Sequence, residues 1–453
     1  MKKPNIVYIH THDLGRFCEP MGYNIPSPNL NRLAEEGVLF RQCHASAPQC
    51  APSRAALVTG EYPHNNGMMG FPFPHQGFKL NDYGHHIGAF LKKHGYETAL
   101  SGMQHVAAEP INDPMEVLPY DRFLNHTRTE NESFDPLKTA SAAVDYLKED
   151  HDKPFFLSVG FLEPHRMDFG PTFICSEKTQ EPADIERRSR YCQSWPHMPD
   201  NALTRREMAN FKIGVEYLDH DVGKVLDALD APELRRNTLV IFTTDHGPGV
   251  CEMKCTLTDR GTGVVTIFRG PTDEDYGEAA LFRGGEVSDA LTQHLDFFPT
   301  FAELIGAEAP NWLEGKSIMP LMRGDTEAIH EAIVTEQTYH ARPTPRPLRA
   351  VRTLRYKYIR SYDKHQQRGV DFGPPHEFLS QYGYLDMPFA DEMLYDLVFD
   401  PNEANNVAGE ESYAEVMKEM RERLLAWQKA TGDPMIDGTV PPMPVEAAAA
   451  ENG

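Results

Sequence analysis

The alternation of apolar and polar stretches along the chain sets the expected architecture. Pro4 to Ile9 is a mostly apolar run that gives way to the polar cluster His10, Thr11, His12 and Asp13 before Gly15. A short apolar run closed by turn residues reads as a buried strand followed by a loop. Similar runs recur at Thr98 to Leu100, Pro154 to Phe161 and Thr238 to Thr243, with helical patterns between them at Leu30 to Glu36, Ile87 to Lys93 and Leu137 to Leu147. Strands alternating with helices predict an α/β fold in which helices sandwich a mostly parallel central sheet. Such sheets place their chemistry in the loops at strand ends.

The clearest helical pattern starts at Thr204, where Thr204 and Glu207 have capping-box spacing. Met208, Phe211, Val215, Leu218, Val222, Val225 and Leu229 form its apolar stripe, which is a packing face. Between Arg166 and Pro199 the chain is polar, aromatic and weakly periodic, a long excursion suited to walling a pocket. After Asn311 the pattern shortens to strand-like runs at Ile333 to Glu336, Leu348 to Val351 and Tyr356 to Arg360. A helical face of Tyr413, Val416, Met417, Met420, Leu424 and Trp427 follows. The expected organisation is a large α/β domain over 1–330, an α+β subdomain over 331–440 with a small antiparallel sheet backed by one helix, and a loosely ordered tail over 441–453.

Composition narrows the functional classes. The 453 residues carry 44 Lys and Arg against 67 Asp and Glu, a formal charge of −23. That balance argues against nucleic acid or an anionic membrane as the main partner, and an anionic substrate would need locally placed cations. The seven cysteines are odd in number and scattered, which is no disulfide framework. Cys251 and Cys255 lack a second Cys/His pair at zinc-ligand spacing. No run reaches the ~20 apolar residues of a membrane span, and the start MKKPNIVYIH shows no cleavage pattern. The expected location is cytoplasmic, or periplasmic or secreted if a leader precedes the numbering.

Two short segments carry candidate chemistry. One is Cys50-Ala51-Pro52-Ser53-Arg54, followed by Leu57, Thr59 and Gly60. The other is Thr244-Asp245-His246-Gly247 after the apolar run Leu239 to Phe242, where an oxygen and an imidazole ligand at a strand end can turn toward one cation. On its own a D-H-G triplet is more often a turn; with Asp13 at the end of the first strand it becomes a candidate metal site. Arg54, one helical turn beyond Cys50, lies on the same helix face and would supply a cation there.

The Cys50 segment closely resembles the signature of the type I, formylglycine-dependent sulfatases of the alkaline-phosphatase-like superfamily. The resemblance implies that Cys50 is oxidised to formylglycine by a formylglycine-generating enzyme. The hydrated aldehyde is a geminal diol in which one hydroxyl attacks sulfur and the other later expels sulfate. It further implies one divalent cation on Asp13, Asp245 and His246, with calcium the first expectation and manganese or magnesium the others. His165 in Phe161-Leu162-Glu163-Pro164-His165, Lys254 in Lys254-Cys255-Thr256-Leu257-Thr258-Asp259-Arg260-Gly261, and His105 after Gly102 fall on family positions that contact the sulfate or leaving group.

Two positions depart from the pattern. His12 stands where relatives usually have an aspartate; as a ligand it would remove one negative charge and shift preference toward manganese or zinc. Met103 stands where relatives have a lysine, which removes an ammonium.

Further landmarks run nearly end to end, including Ser27-Pro28-Asn29-Leu30, Gly60-Glu61-Tyr62-Pro63-His64 and Leu394-Tyr395-Asp396-Leu397. His64-Asn65-Asn66-Gly67-Met68, Thr335 to His340, and Leu425-Ala426-Trp427-Gln428 with Gly432-Asp433-Pro434 resemble the sulfamidases (heparan N-sulfatases) within the family. The implied substrate is a sulfated small molecule or glycan, a sulfate ester or a sulfamate. Tyr339, His340 and Arg342 are expected at the substrate cleft, and His165 is the expected general acid. A phosphonate or phosphodiester hydrolase on the same scaffold, and a non-catalytic sulfated-sugar-binding relative, are the alternatives. The oligomeric state is not legible.

Overall fold

A computed structural model describes residues 2–108, 111–126, 134–166, 173, 181–340, 344–362, 368 and 373–445. Its larger sheet has eight strands: β1 (Asn5–Thr11), β2 (Val38–Phe40), β3 (Glu97–Gly102), β4 (Arg122–Phe123), β5 (Phe155–Gly160), β6 (Thr238–Thr244), β7 (Thr266–Arg269) and β8 (Glu286–Ser288). They lie in the order β4-β3-β5-β1-β6-β7-β2-β8. All neighbouring pairs are parallel except those of β7, which runs antiparallel to both β6 and β2. β1 sits between β5 and β6 and is buried at every position, which explains its nearly unbroken apolar sequence.

Because side chains alternate across a strand, β1 feeds two cores. Val7 and Ile9 face a core built with α1 (Pro28–Glu36), a helix over Thr139–Leu147 and the long helix Ala202–Leu229. Ile6 and Tyr8 face the opposite core, where α2 (Cys50–Thr59) and α3 (Ile87–Lys93) pack. All ten residues of α2 are buried. The expected mostly parallel sheet between two helical layers is therefore present.

The long helix begins two residues earlier than expected. Its N-cap is Asn201, whose side chain accepts from the backbone N–H groups of Leu203 (2.9 Å) and Thr204 (3.0 Å), while Thr204 Oγ1 accepts from Asn201 N (3.2 Å). Thr204 is thus the third helical residue of the box. Glu207, expected as its partner, is buried and pairs with Arg166 instead. The apolar stripe from Met208 to Leu229 is buried as expected.

The second sheet is antiparallel: β9 (Ile333–Gln337), β10 (Leu348–Arg352), β11 (Tyr356–Ser361) and β12 (Glu392–Asp396), in sequence order. The helix Ala414–Thr431 covers one face, with Met417, Met420 and Leu424 against Val334, Val351, Tyr358 and Leu394. The segment expected to be loose after Pro441 is packed where it is described. Met443 is buried in the core and Pro441 O accepts the Tyr339 hydroxyl (2.7 Å), because this stretch fills a gap beside Phe78 and Tyr339. Residues 446–453 lie outside the described residues, as do 167–172 and 174–180 of the Arg166–Pro199 excursion, which include Cys175, and Arg342. Among the described residues, no helix is long and apolar enough to cross a membrane.

Candidate active site

The C-terminal ends of four adjacent parallel strands converge. β1 delivers His12 and Asp13, β6 delivers Asp245 and His246, β5 leads to His165, and β3 leads to Met103 and His105. The first residue of α2, Cys50, enters from the adjoining helical layer. Ligand atoms of His12, Asp13, Cys50, Asp245 and His246 all lie within 4.8 Å of one another, and all five residues are buried.

The close approach of β3 and β5 at this end requires glycine. Gly102 has φ +82°, and a Cβ there would stand 2.1 Å from Gly160 O. Asp13 also lies in the left-handed region, at φ +58°, a conformation uncommon outside glycine and often found at functional sites.

Hydrogen bonds orient the donors. Asp245 Oδ1 accepts from the backbone N–H groups of Asp13 and His246, both at 2.9 Å. Its Oδ2 faces the Arg54 guanidinium at 3.1 Å and His12 Nδ1 at 3.2 Å. His246 Nδ1 donates to Gly247 O (2.8 Å), which leaves the Nε2 lone pair directed into the cluster, 3.3 Å from Cys50 Sγ. A ring nitrogen anchored to a carbonyl with its partner nitrogen free is the usual arrangement of a metal-ligating histidine. Lys254 Nζ donates to both Asp13 oxygens (3.1 and 3.0 Å) and to His165 Nε2 (3.4 Å). Arg54 also donates to Thr11 O (2.9 Å) and to His10 Nδ1, so its charge is directed at Asp245 and the end of β1.

Burial would raise the carboxyl pKa values here. For Asp13 it is overcome by Lys254, His12, His165 and His246, and for Asp245 by His12, His246 and Arg54, so both carboxyls stay well below the usual range. Cys50 behaves oppositely: burial, reinforced by Asp13 and Asp245 against Lys254 and Arg54, holds its thiol well above the ordinary value. A thiol so placed is protonated and a poor nucleophile. Burial also keeps the His105 and His165 imidazoles well below their ordinary range and His246 at about 4. Two ionised carboxylates and two imidazole nitrogens around one point form a donor set that fits a divalent cation.

The structure thus brings together Cys50, Arg54, His165, Lys254, Asp13, Asp245, His246 and His12. His105 stands at the edge, its ring centre 5.8 Å from that of His12, with φ +67° and a buried Nδ1 that has no hydrogen-bond partner among the described residues. Tyr339 does not face the cleft as expected. Its ring packs on Phe78 (5.4 Å) in the core because the side chain after β9 turns inward. His340 lies beside the site through Phe71, whose ring is 5.5 Å from His340 and 5.3 Å from His105.

Sequence reasoning missed Phe71 and Phe73, which wall His105, and the roles of Ser53 and His10. Ser53 Oγ donates to Asp245 O (2.6 Å), tying the Cys50 segment to the β6 loop. The conspicuous Ser53-Arg54 pair was the available signal; Phe71-Pro72-Phe73 offered none.

Fold and site together define a class, α/β proteins of alkaline-phosphatase-like architecture with a buried donor cluster at the strand ends that could hold a metal ion. Within that class the chain belongs to the sulfatase family, the enzymes that hydrolyse sulfuric esters: the sulfatase profile matches residues 4–307, and the profile of the N-sulphoglucosamine sulphohydrolase C-terminal region matches residues 279–383. An ulvan-active sulfatase of Formosa agariphila is 27% identical over 95% of this chain and 81% of its own length. Human N-sulphoglucosamine sulphohydrolase is 26% identical over 96% and 92%. Among solved structures, one in complex with its substrate D-glucosamine-2-N,6-O-disulfate superposes with a TM-score of 0.71 at 20% identity, covering 96% of this chain and 99% of that one. The structure of a 2-O GAG sulfatase gives 0.73 at 22%, covering 98% and 96%.

Proposed function

We propose that this sulfatase releases sulfate from a sulfated carbohydrate, as an O-sulfate ester or a sulfamate, using formylglycine formed from Cys50 by a formylglycine-generating enzyme. The observation that carries the reading is the placement of Cys50 Sγ 3.3 Å from His246 Nε2, inside a cluster with two ionised carboxylates. As a cysteine, residue 50 is a neutral thiol in this setting; as a hydrated aldehyde it would offer hydroxyls where the thiol now sits.

Asp13, Asp245, His246 and His12 would hold the divalent cation, which would lower the pKa of the attacking hydroxyl and draw charge from the sulfate oxygens. Calcium, manganese and magnesium all suit the carboxylates, and the two imidazoles favour manganese among them. Arg54 fixes Asp245, and Ser53 fixes the loop that carries it. Lys254, spanning Asp13 and His165, places an ammonium beside the sulfate position and stabilises charge developing there. The Lys254–His165 pair also holds the proton that the leaving oxygen or nitrogen takes. Phe71, Phe73 and His340 supply a wall for the sugar, and the relatives that act on glucosamine sulfates and ulvan support that substrate class.

The test starts with peptide mass at Cys50 in protein co-expressed with a formylglycine-generating enzyme, followed by sulfate release from N-sulfated and O-sulfated glucosamine. Conversion with release is expected, and Cys50→Ala is expected to lower turnover by roughly a thousandfold or more. Converted protein that turns over aryl phosphonates in preference to aryl sulfates would replace this reading, and converted, metal-loaded protein that binds sulfated sugar without releasing sulfate would make it a binding relative.

A further inference from the structure

β1 is buried at every position, and four consecutive apolar residues, Ile6 to Ile9, lead into His10. His10 is itself only 4% exposed. A polar ring inside a strand that is otherwise core costs free energy unless its nitrogens are paired.

The ring lies on the α2 side of the sheet, stacked on Tyr8 with 4.7 Å between ring centres. Gly160, its register partner on β5, makes the room: a Cβ there would stand 2.6 Å from His10 Cε1. Both ring nitrogens are used. Nε2 lies 3.1 Å from Ser158 Oγ, and Nδ1 meets Arg54 Nη1. A guanidinium can only donate, so Nδ1 carries the lone pair and Nε2 carries the proton, which it shares with Ser158. The ring is thus a neutral acceptor of fixed orientation, aimed at Arg54.

The Arg54 guanidinium is held from both edges. Nε and Nη2 face Asp245 Oδ2 at 3.2 and 3.1 Å, Nη2 also donates to Thr11 O (2.9 Å), and Nη1 has His10. Asp245 Oδ1 is fixed by two backbone N–H groups, which leaves Arg54 and His12 to direct Oδ2. Without the His10 acceptor, a donor of a buried charged group would be left unpaired, and that costs more than re-aiming the side chain. The guanidinium would tilt toward other acceptors and loosen its hold on Oδ2.

We propose that His10 is a positioning residue for Asp245: it holds the Arg54 guanidinium in the plane that directs Asp245 Oδ2 into the donor cluster. His10 thereby strengthens cation binding without being a ligand, as groups that orient a metal-binding side chain do. The inference rests on the cation site proposed above.

The test is calorimetric titration of metal-free protein, with residue 50 left as cysteine, against Mn²⁺, so that no turnover is needed. His10→Leu keeps the bulk of the ring and removes the acceptor, and it is expected to weaken Mn²⁺ binding by about tenfold. His10→Asn, whose side-chain oxygen takes the place of Nδ1, is expected to recover most of that loss. The Arg54 charge itself opposes a bound cation, so the informative comparison is the pair of backgrounds: adding His10→Leu to Arg54→Ala is expected to change the affinity no further. Thermal melts check folding. Should His10→Leu fail to fold, His10→Gln takes its place, since Gln sets its oxygen one bond beyond Nδ1: weaker binding in Gln than in Asn supports the proposal, and equal binding overturns it.

Unchanged affinity in His10→Leu, or an equal loss in both Arg54 backgrounds, also overturns the proposal. A wild type that binds no Mn²⁺ removes the cation site and the inference together. Mn²⁺ binding that depends on His10, in a protein whose converted form releases no sulfate, would keep the inference and remove the proposed function. Sulfate release with Mn²⁺ affinity indifferent to His10 would do the reverse.

Discussion

At residue 12 an imidazole stands inside the donor cluster, with Nδ1 2.6 Å from Asp13 Oδ1 and 3.2 Å from Asp245 Oδ2. Replacing a carboxylate with an imidazole removes one negative charge. A hard, oxygen-seeking cation is penalised more by that than a borderline one. His12→Asp is therefore expected to shift the calcium-to-manganese affinity ratio toward calcium by on the order of tenfold. Elemental analysis after equilibration with both ions measures it, and an unchanged ratio would place His12 outside the coordination. The residues most legible in the sequence were those close together in one local motif, such as Asp245 with His246 at a strand end and Cys50 with Arg54 one turn apart on α2, because a common cation or helix face fixes their shared direction. Tyr339 was not legible. Whether a side chain just beyond a strand points to a cleft or to the core depends on contacts from remote segments, here Phe78 and Pro441.

At the scale of elements, the apolar runs located β1, β3, β5 and β6, since a strand buried on both faces has nearly continuous apolar sequence. The start of the helix Ala202–Leu229 was misread because Thr204 and Glu207 have the right spacing, while Asn201 satisfies the free N–H groups. Glu207 was needed elsewhere, against the buried Arg166. The short edge strands β4 and β8 carry too few residues for periodicity to register. The approach of β3 to β5 has a direct test in Gly102→Ala. The added Cβ would meet Gly160 O at 2.1 Å on a backbone with positive φ, so a loss of more than about 1–3 kcal/mol in urea unfolding is expected. A loss below about 0.5 kcal/mol would mean that the strand ends separate readily.

At the scale of the molecule, a buried ionic network ties the second sheet to the segment that follows α2 and to the turn after the helix Ala414–Thr431. His64 Nδ1 lies 2.7 Å from Glu336 Oε2, while Arg349 forks onto Asp433 (2.7 and 3.0 Å) and lies 3.5 Å from Glu336. Burial alone would lower the His64 pKa, but Glu336 more than offsets it and the net shift is upward. A histidine with a raised folded-state pKa contributes stability that is fully present below its unfolded value of about 6.5 and is lost as pH rises through the folded value. The stability difference between the wild type and His64→Gln is thus expected to be largest near about pH 6 and to shrink toward about pH 9 in urea titrations. A difference constant over that range would mean that the pair does not titrate. The same compactness bears on α2, whose ten residues are all buried with Cys50 only 2% exposed. Under the proposed function, an oxidising enzyme would have to reach Cys50 before the fold closes over it, so conversion would belong to the interval between synthesis and collapse. Each molecule would then meet that interval once: a chain that folded first would be locked with an inert thiol, and the converted fraction of a preparation would record a race between modification and folding rather than an equilibrium.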